Sequence, residues 1–91
     1  MSAAVRDNAE RHRFELELDG GTAYATYRRD GDVVVIPHTE VPAALNGHGY
    51  GSQLVRGALD LIRARGLKVR PLCPFVAAFI RRHAEYRDLV A

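Results

Sequence analysis

The chain has 91 residues, 47% of them hydrophobic and 26% charged, with a formal net charge of +2 and an isoelectric point near 9.0. Such a composition describes one small domain able to close a core, and excludes a disordered tail. No apolar run approaches the roughly 20 residues that span a bilayer and no charged-then-apolar leader opens the sequence, so a cytoplasmic location with no membrane partner is expected. The single cysteine, Cys73, cannot form an internal disulfide, in keeping with a reducing compartment. Lys68 is the one lysine, so the basicity is arginine. Those arginines are scattered, which argues against a nucleic-acid surface and suits a ligand with several phosphates.

In chain order, residues 1–12 are polar, lack a period, and read as a flexible N-terminal arm before a single domain over 13–91. From Arg13 to Asp19 the chain alternates, with Phe14, Leu16 and Leu18 on one face and charges on the other; this predicts a half-buried strand. Gly20-Gly21 marks a two-residue turn. Thr22 to Arg29 is rich in β-formers and predicts a second strand. After Asp30-Gly31, a third strand is expected over Val33 to Val41. Its Val33-Val34-Val35-Ile36 run implies burial on both faces, and Pro37 implies a bulge or bend.

The pattern then turns helical from Gly49 to Arg65, with Leu54, Val55, Ala58, Leu59 and Ile62 on one stripe and Gly66 as a stop. Gly57 inside this helix suggests close packing on the sheet. Leu67 to Leu72 predicts a fourth strand, joined by a right-handed parallel crossover. A second helix begins at Pro74, buries Phe75, Val76, Phe79 and Ile80, and ends near His83. His83 and Tyr86 are read as seating the short C-terminal tail. The resulting fold class is α/β (α+β), a mixed β-β-β-α-β-α sheet with two helices.

Between the third strand and the first helix lies Asn46-Gly47-His48-Gly49-Tyr50-Gly51-Ser52. Alternating glycines at a strand-to-helix junction let backbone N–H groups approach an anion, and the helix start adds its dipole and unpaired amides. A dinucleotide fingerprint fails because position 52 is Ser52, and a Walker loop fails for want of a lysine. His48 reads either as an added phosphate donor or as a solvated loop residue. Four histidines and one cysteine show no metal-ligand spacing, so no metal is expected.

The loop resembles the coenzyme A loop of the GNAT N-acetyltransferase superfamily, Arg/Gln-x-x-Gly-x-Gly/Ala, matching both glycine positions with Asn46 in the Arg/Gln place. With Pro37 to Pro42 and Leu67 to Tyr86 added, the sequence resembles the small YjdJ-type GNAT-like proteins over roughly residues 13 to 90. The predicted elements equal the central core of that fold, without its leading strand and two helices or its two closing strands. The open sheet edges this leaves make a homodimer plausible.

The resemblance implies acetyl-CoA (or coenzyme A) as cofactor. It places Asn46, Gly47, His48, Gly49, Tyr50, Gly51 and Ser52 at the diphosphate, and Thr39, Glu40 and Val41 along a wedge between splayed strands that takes pantetheine. Cys73, Phe75 and Phe79 complete the cofactor set, with Cys73 near the thioester. There the thiol, at the start of a helix, would accept acetyl; its plainer reading is a small buried hydrophobe. Glu40 and His38 read as general bases for an amine, or as a surface pair at a strand end. The wider family carries Asn-x-x-Ala-x-x-Leu-Tyr in the last helix, its tyrosine protonating the leaving thiolate. Aligned through Ala77, the Asn place holds Pro74 and the Tyr place Arg81, which stabilises charge but gives up no proton. The implied function is transfer of acetyl to an unknown amine, through an acetyl-cysteine at Cys73. The alternative is a coenzyme A binding module without turnover.

Overall fold

The computed structural model describes residues 4–91. One five-stranded sheet runs in sequential order: β1 (Arg6–Asn8), β2 (Arg13–Leu18), β3 (Gly21–Asp30), β4 (Val33–Glu40) and β5 (Lys68–Pro71). All neighbours are antiparallel except β4 and β5, which are parallel and joined by helix α1 (Tyr50–Ala64). Helix α2 (Pro74–Arg82) follows β5, and 3₁₀ turns occupy Ala9–Arg11, Ala43–Leu45 and Ala84–Leu89.

Alternation explains the two layers. Phe14, Leu16, Ala23, Ala25, Val34, Ile36 and Val69 point to one face, where they close a core with the stripes of α1 and α2. Burial of the larger of those side chains, at roughly 1.5–3 kcal/mol each, is the main force holding the layers together. The opposite face carries no helix. Glu15 is nonetheless buried there, bonded by Arg6, Asn8 and Arg13. Burial raises its carboxyl pKa, but hydrogen bonds from Arg13 and Asn8 and the arginine charges outweigh that and hold it below the ordinary value. Val34, Val35 and Ile36 are all buried, as the apolar run implies.

Several expectations need correction. The polar segment before His12 is not an arm over its described part: Arg6–Asn8 is a fifth strand paired to β2, and Ala9–Arg11 is a 3₁₀ turn. It lacks alternation because long-range polar contacts hold it. Asp7 pairs with Arg65 at 2.7 Å and accepts from the Tyr27 hydroxyl at 2.6 Å. The part of that arm at residues 1–3 lies outside the described residues. The first hairpin turns on Asp19-Gly20, one residue earlier than expected, because Leu18 pairs with Gly21. Gly57 does mark close packing, but against Val5: a Cβ there would lie 2.4 Å from the valine Cγ2. The tail is also more ordered than a tail. Tyr86 and Leu89 are buried, and Val90 and Ala91 join the outer edge of β5 at Val69.

Candidate active site

Pro37 does what its missing N–H predicts, and the consequence decides the site. Pairing between β3 and β4 runs Arg28 with Val35, then Thr26 with His38, so Ile36 and Pro37 together oppose the single residue Tyr27. That extra residue resets the alternation. In an unbroken strand His38 and Glu40 would follow Ile36 onto the helix-covered face. Beyond the bulge Thr39 takes that face, opposite core residue Ala25, and Val41 packs against the core.

The parallel pair ends in the same place. The last register pair between β4 and β5 is Ile36 with Pro71, and the last link is the Cys73 amide donating to the Ile36 carbonyl at 2.9 Å. Past it the strands part. The gap holds an open crevice of about 380 Å³ lined by Thr39, Val41, Asn46, Gly51, Cys73, Pro74 and Phe75. Cys73 Sγ lies 3.5 Å from Thr39 Oγ1. Burial pushes the thiol pKa up, but the Thr39 hydroxyl and the amides of Val76, Phe75 and Thr39 outweigh it and hold the thiol below its ordinary value. Cys73 caps the start of α2, where free amides favour thiolate.

A second crevice of about 200 Å³ adjoins the first, sharing Val41, Asn46, Gly51 and Phe75 and adding Leu45, Gly47, Gly49, Tyr50 and Ser52. Its floor is the glycine loop. Gly47 and Gly49 have φ of 84° and 76°, left-handed values that a side chain resists. Gly51 is different: a Cβ there would lie 2.9 Å from Phe75 Cζ, so it keeps α1 close to the start of α2. The first bond of α1 runs from the Gln53 amide to the Gly49 carbonyl. Amides 47–52 therefore have no partner among the described residues, an arrangement suited to an anion.

The remaining predicted residues lie elsewhere. His38 and Glu40 are exposed on the open face, away from both crevices, with His38 Nε2 4.0 Å from Glu40 Oε1. The Tyr24 hydroxyl donates to Glu40, and that bond, with some burial and the carboxylate charge, raises the tyrosine pKa. His48 is exposed and lines neither crevice; its ring lies 5.5 Å from that of Tyr50. Phe79 is buried behind the site and stacks on His83 at 4.0 Å. The His83 and Tyr86 reading agrees with the contacts: His83 Nδ1 bonds the Phe79 carbonyl and the Tyr86 hydroxyl donates to Asp60 on α1. Leu45 and Pro74 also line the crevices, a role the sequence does not signal: Pro74 reads as a helix start, and Leu45 stands in no pattern.

This mixed sheet, whose one parallel strand pair opens beside a glycine loop, has a match among solved structures. A GCN5-like protein from Staphylococcus aureus, solved by NMR, superimposes with a TM-score of 0.73 over 99% of this chain and 89% of its own, at 24% identity. The family model for GCN5-related N-acetyl-transferases matches residues 13–89, and the chain belongs to that family. Protein NATD1 of Mus musculus is 29% identical over 82 residues, which is 87% of this chain and 74% of the relative. Protein NATD1 of Danio rerio is 28% identical over 91 residues, 94% of this chain and 83% of the relative. The family uses acetyl-CoA as cosubstrate. Among the described residues, no helix is long and apolar enough to cross a membrane.

Proposed function

We propose that this chain binds acetyl-CoA and passes its acetyl group to an amine through an acetyl-cysteine at Cys73. The observation carrying the proposal is the continuity of the two crevices: unpartnered loop amides at one end, a thiol of lowered pKa at the other. The amides of residues 47–52 hold the diphosphate, with Asn46 and Ser52 at its margin. Thr39 and Val41 border the pantetheine arm, and Phe75 forms the wall shared by both crevices.

In this reading Cys73 loses its proton under the influence of the Thr39 hydroxyl and the amides at the start of α2. The thiolate sulfur attacks the thioester carbonyl carbon, a new C–S bond forms, and the bond to coenzyme A sulfur breaks, releasing that sulfur as a thiolate which takes up a proton. The acceptor amine then attacks the acetyl-cysteine and regenerates the thiol. Glu40 and His38, on the open face, serve an acceptor that reaches Cys73 through the gap where β4 and β5 part; removal of its ammonium proton exposes the nitrogen lone pair. A covalent route fits the replacement of the usual tyrosine by Arg81, since the first acyl exchange is between two thiols.

That same replacement favours a second reading, a coenzyme A binding module without turnover. Intact-mass measurement after incubation with acetyl-CoA separates the two. The expected result is a gain of one acetyl group with release of coenzyme A, abolished in Cys73→Ala while binding persists. Binding without acetylation would leave the module; no binding would end both.

A further inference from the structure

Coenzyme A has two ends, and the crevices described so far accommodate one. Beyond the diphosphate lies adenosine bearing a 3′-phosphate, whose charge the neutral loop amides cannot offset. A third, shallow crevice of about 70 Å³ continues from the loop along the seam between α1 and α2, lined by Ser52, Phe75, Ala78, Phe79, Arg82 and His83. Ser52 and Phe75 also line the loop crevice, so the two are contiguous.

Its chemistry differs from that of its neighbours. Arg82 is the one lysine or arginine lining any of the three crevices, and its guanidinium has no partner among the described residues. The arginines of α1 are engaged, Arg56 over Phe79 and Tyr86 and Arg63 with Asp88, while Arg81 on α2 lines none of the three crevices. Beside Arg82, His83 contacts the Phe79 carbonyl through Nδ1 at 2.8 Å. A carbonyl only accepts, so Nδ1 is the donor in that contact. Phe75, 44% exposed, offers an aromatic face at the junction. The volume is too small to enclose a purine, so the groove would present an edge and a cation to one lying across it.

We propose that this groove between α1 and α2 receives the 3′-phosphoadenosine end of coenzyme A, with Arg82 pairing with the 3′-phosphate. The inference rests on the acetyl-CoA reading above and adds a specificity to it. Arg82 makes the chain distinguish coenzyme A from 3′-dephospho-coenzyme A. A guanidinium forms paired, charge-assisted hydrogen bonds with phosphate, and solvent exposure here moderates their strength.

Calorimetric titration of the full chain with coenzyme A and with 3′-dephospho-coenzyme A provides the test. The unaltered protein should bind coenzyme A about tenfold more tightly. Arg82→Gln should bring that ratio to about one while leaving affinity for the dephospho form unchanged, which also shows the variant folded. Arg28→Gln removes the same charge from the open face of the sheet and should keep the tenfold preference, about the same as in the unaltered chain. Equal binding of both ligands by the unaltered protein, or full preference retained in Arg82→Gln, would overturn the inference and leave the cofactor reading standing. Failure to bind either ligand would overturn the cofactor reading itself.

Discussion

The two sides of β4 beyond Pro37 make opposite surfaces from consecutive residues. Thr39 and Val41 face a crevice that contains the molecule's one thiol and adjoins six loop amides without a partner among the described residues. His38 and Glu40, their neighbours in sequence, face an open polar surface among Tyr24, Arg13 and Glu15. Alternation puts the two pairs on opposite faces, and the one extra residue decides which pair takes the crevice. On the proposed reading, that one choice puts acyl capture on one face and acceptor chemistry on the other.

The division is sharpest where it is broken. Gly49→Val should have the largest effect. It forces a β-branched residue into φ of 76° and blocks amide approach, so stabilisation by acetyl-CoA should vanish. Without the substitution, ligand at 100 times its dissociation constant adds about 2.7 kcal/mol, on the order of 10 °C in a domain this small. An undiminished thermal shift in the variant would remove the loop from the account. On the opposite face, Glu40→Gln should leave acetylation of Cys73 intact and slow only its discharge to an amine. If intact mass shows acetylation itself failing, the two faces do not divide the reaction.

Gly57→Leu should destabilise the fold by roughly 1–3 kcal/mol through its clash with Val5, with partial rescue by Val5→Ala. Denaturant unfolding of the two single variants and the double reads this directly. Thr39→Val removes a bond that lowers the Cys73 pKa. The midpoint for alkylation of the thiol should therefore move to higher pH, and the rate at neutral pH fall by roughly tenfold. Val has nearly the shape of Thr, so the crevice should persist.

The smallest effect concerns the β1 edge. Burial, and then the bond to Asp7, raise the Tyr27 pKa to about 12 from an ordinary value of 10.0. A group whose pKa is raised on folding contributes stability that is complete below its unfolded value and disappears as pH climbs through its folded one. Stability should accordingly fall between pH 10.0 and about 12, and Tyr27→Phe should flatten that decline in pH-dependent unfolding.

Local rules made much of this legible. The alternation of Phe14, Leu16 and Leu18 gave β2, the stripe from Leu54 to Ile62 gave α1, and Pro37 gave a bulge. The effect of that bulge on His38 and Glu40 was not readable, since a proline reveals that a strand is interrupted but not which way alternation resumes. β1 escaped for a different reason: Arg6, Asp7 and Asn8 carry no pattern, and their partners Glu15, Tyr27 and Arg65 are distant in sequence. In sequence the glycine loop reads as one device, whereas Gly47 and Gly49 answer to backbone angle and Gly51 to the ring of Phe75.

Backbone NMR of the uniformly labelled protein during titration with coenzyme A tests the central division most directly. The account predicts that amide shifts concentrate at Thr39, Val41, residues 46–52, Cys73 and Phe75, and that Tyr24 and Arg13 stay still. Shifts centred on the open face, with the loop unmoved, would contradict it.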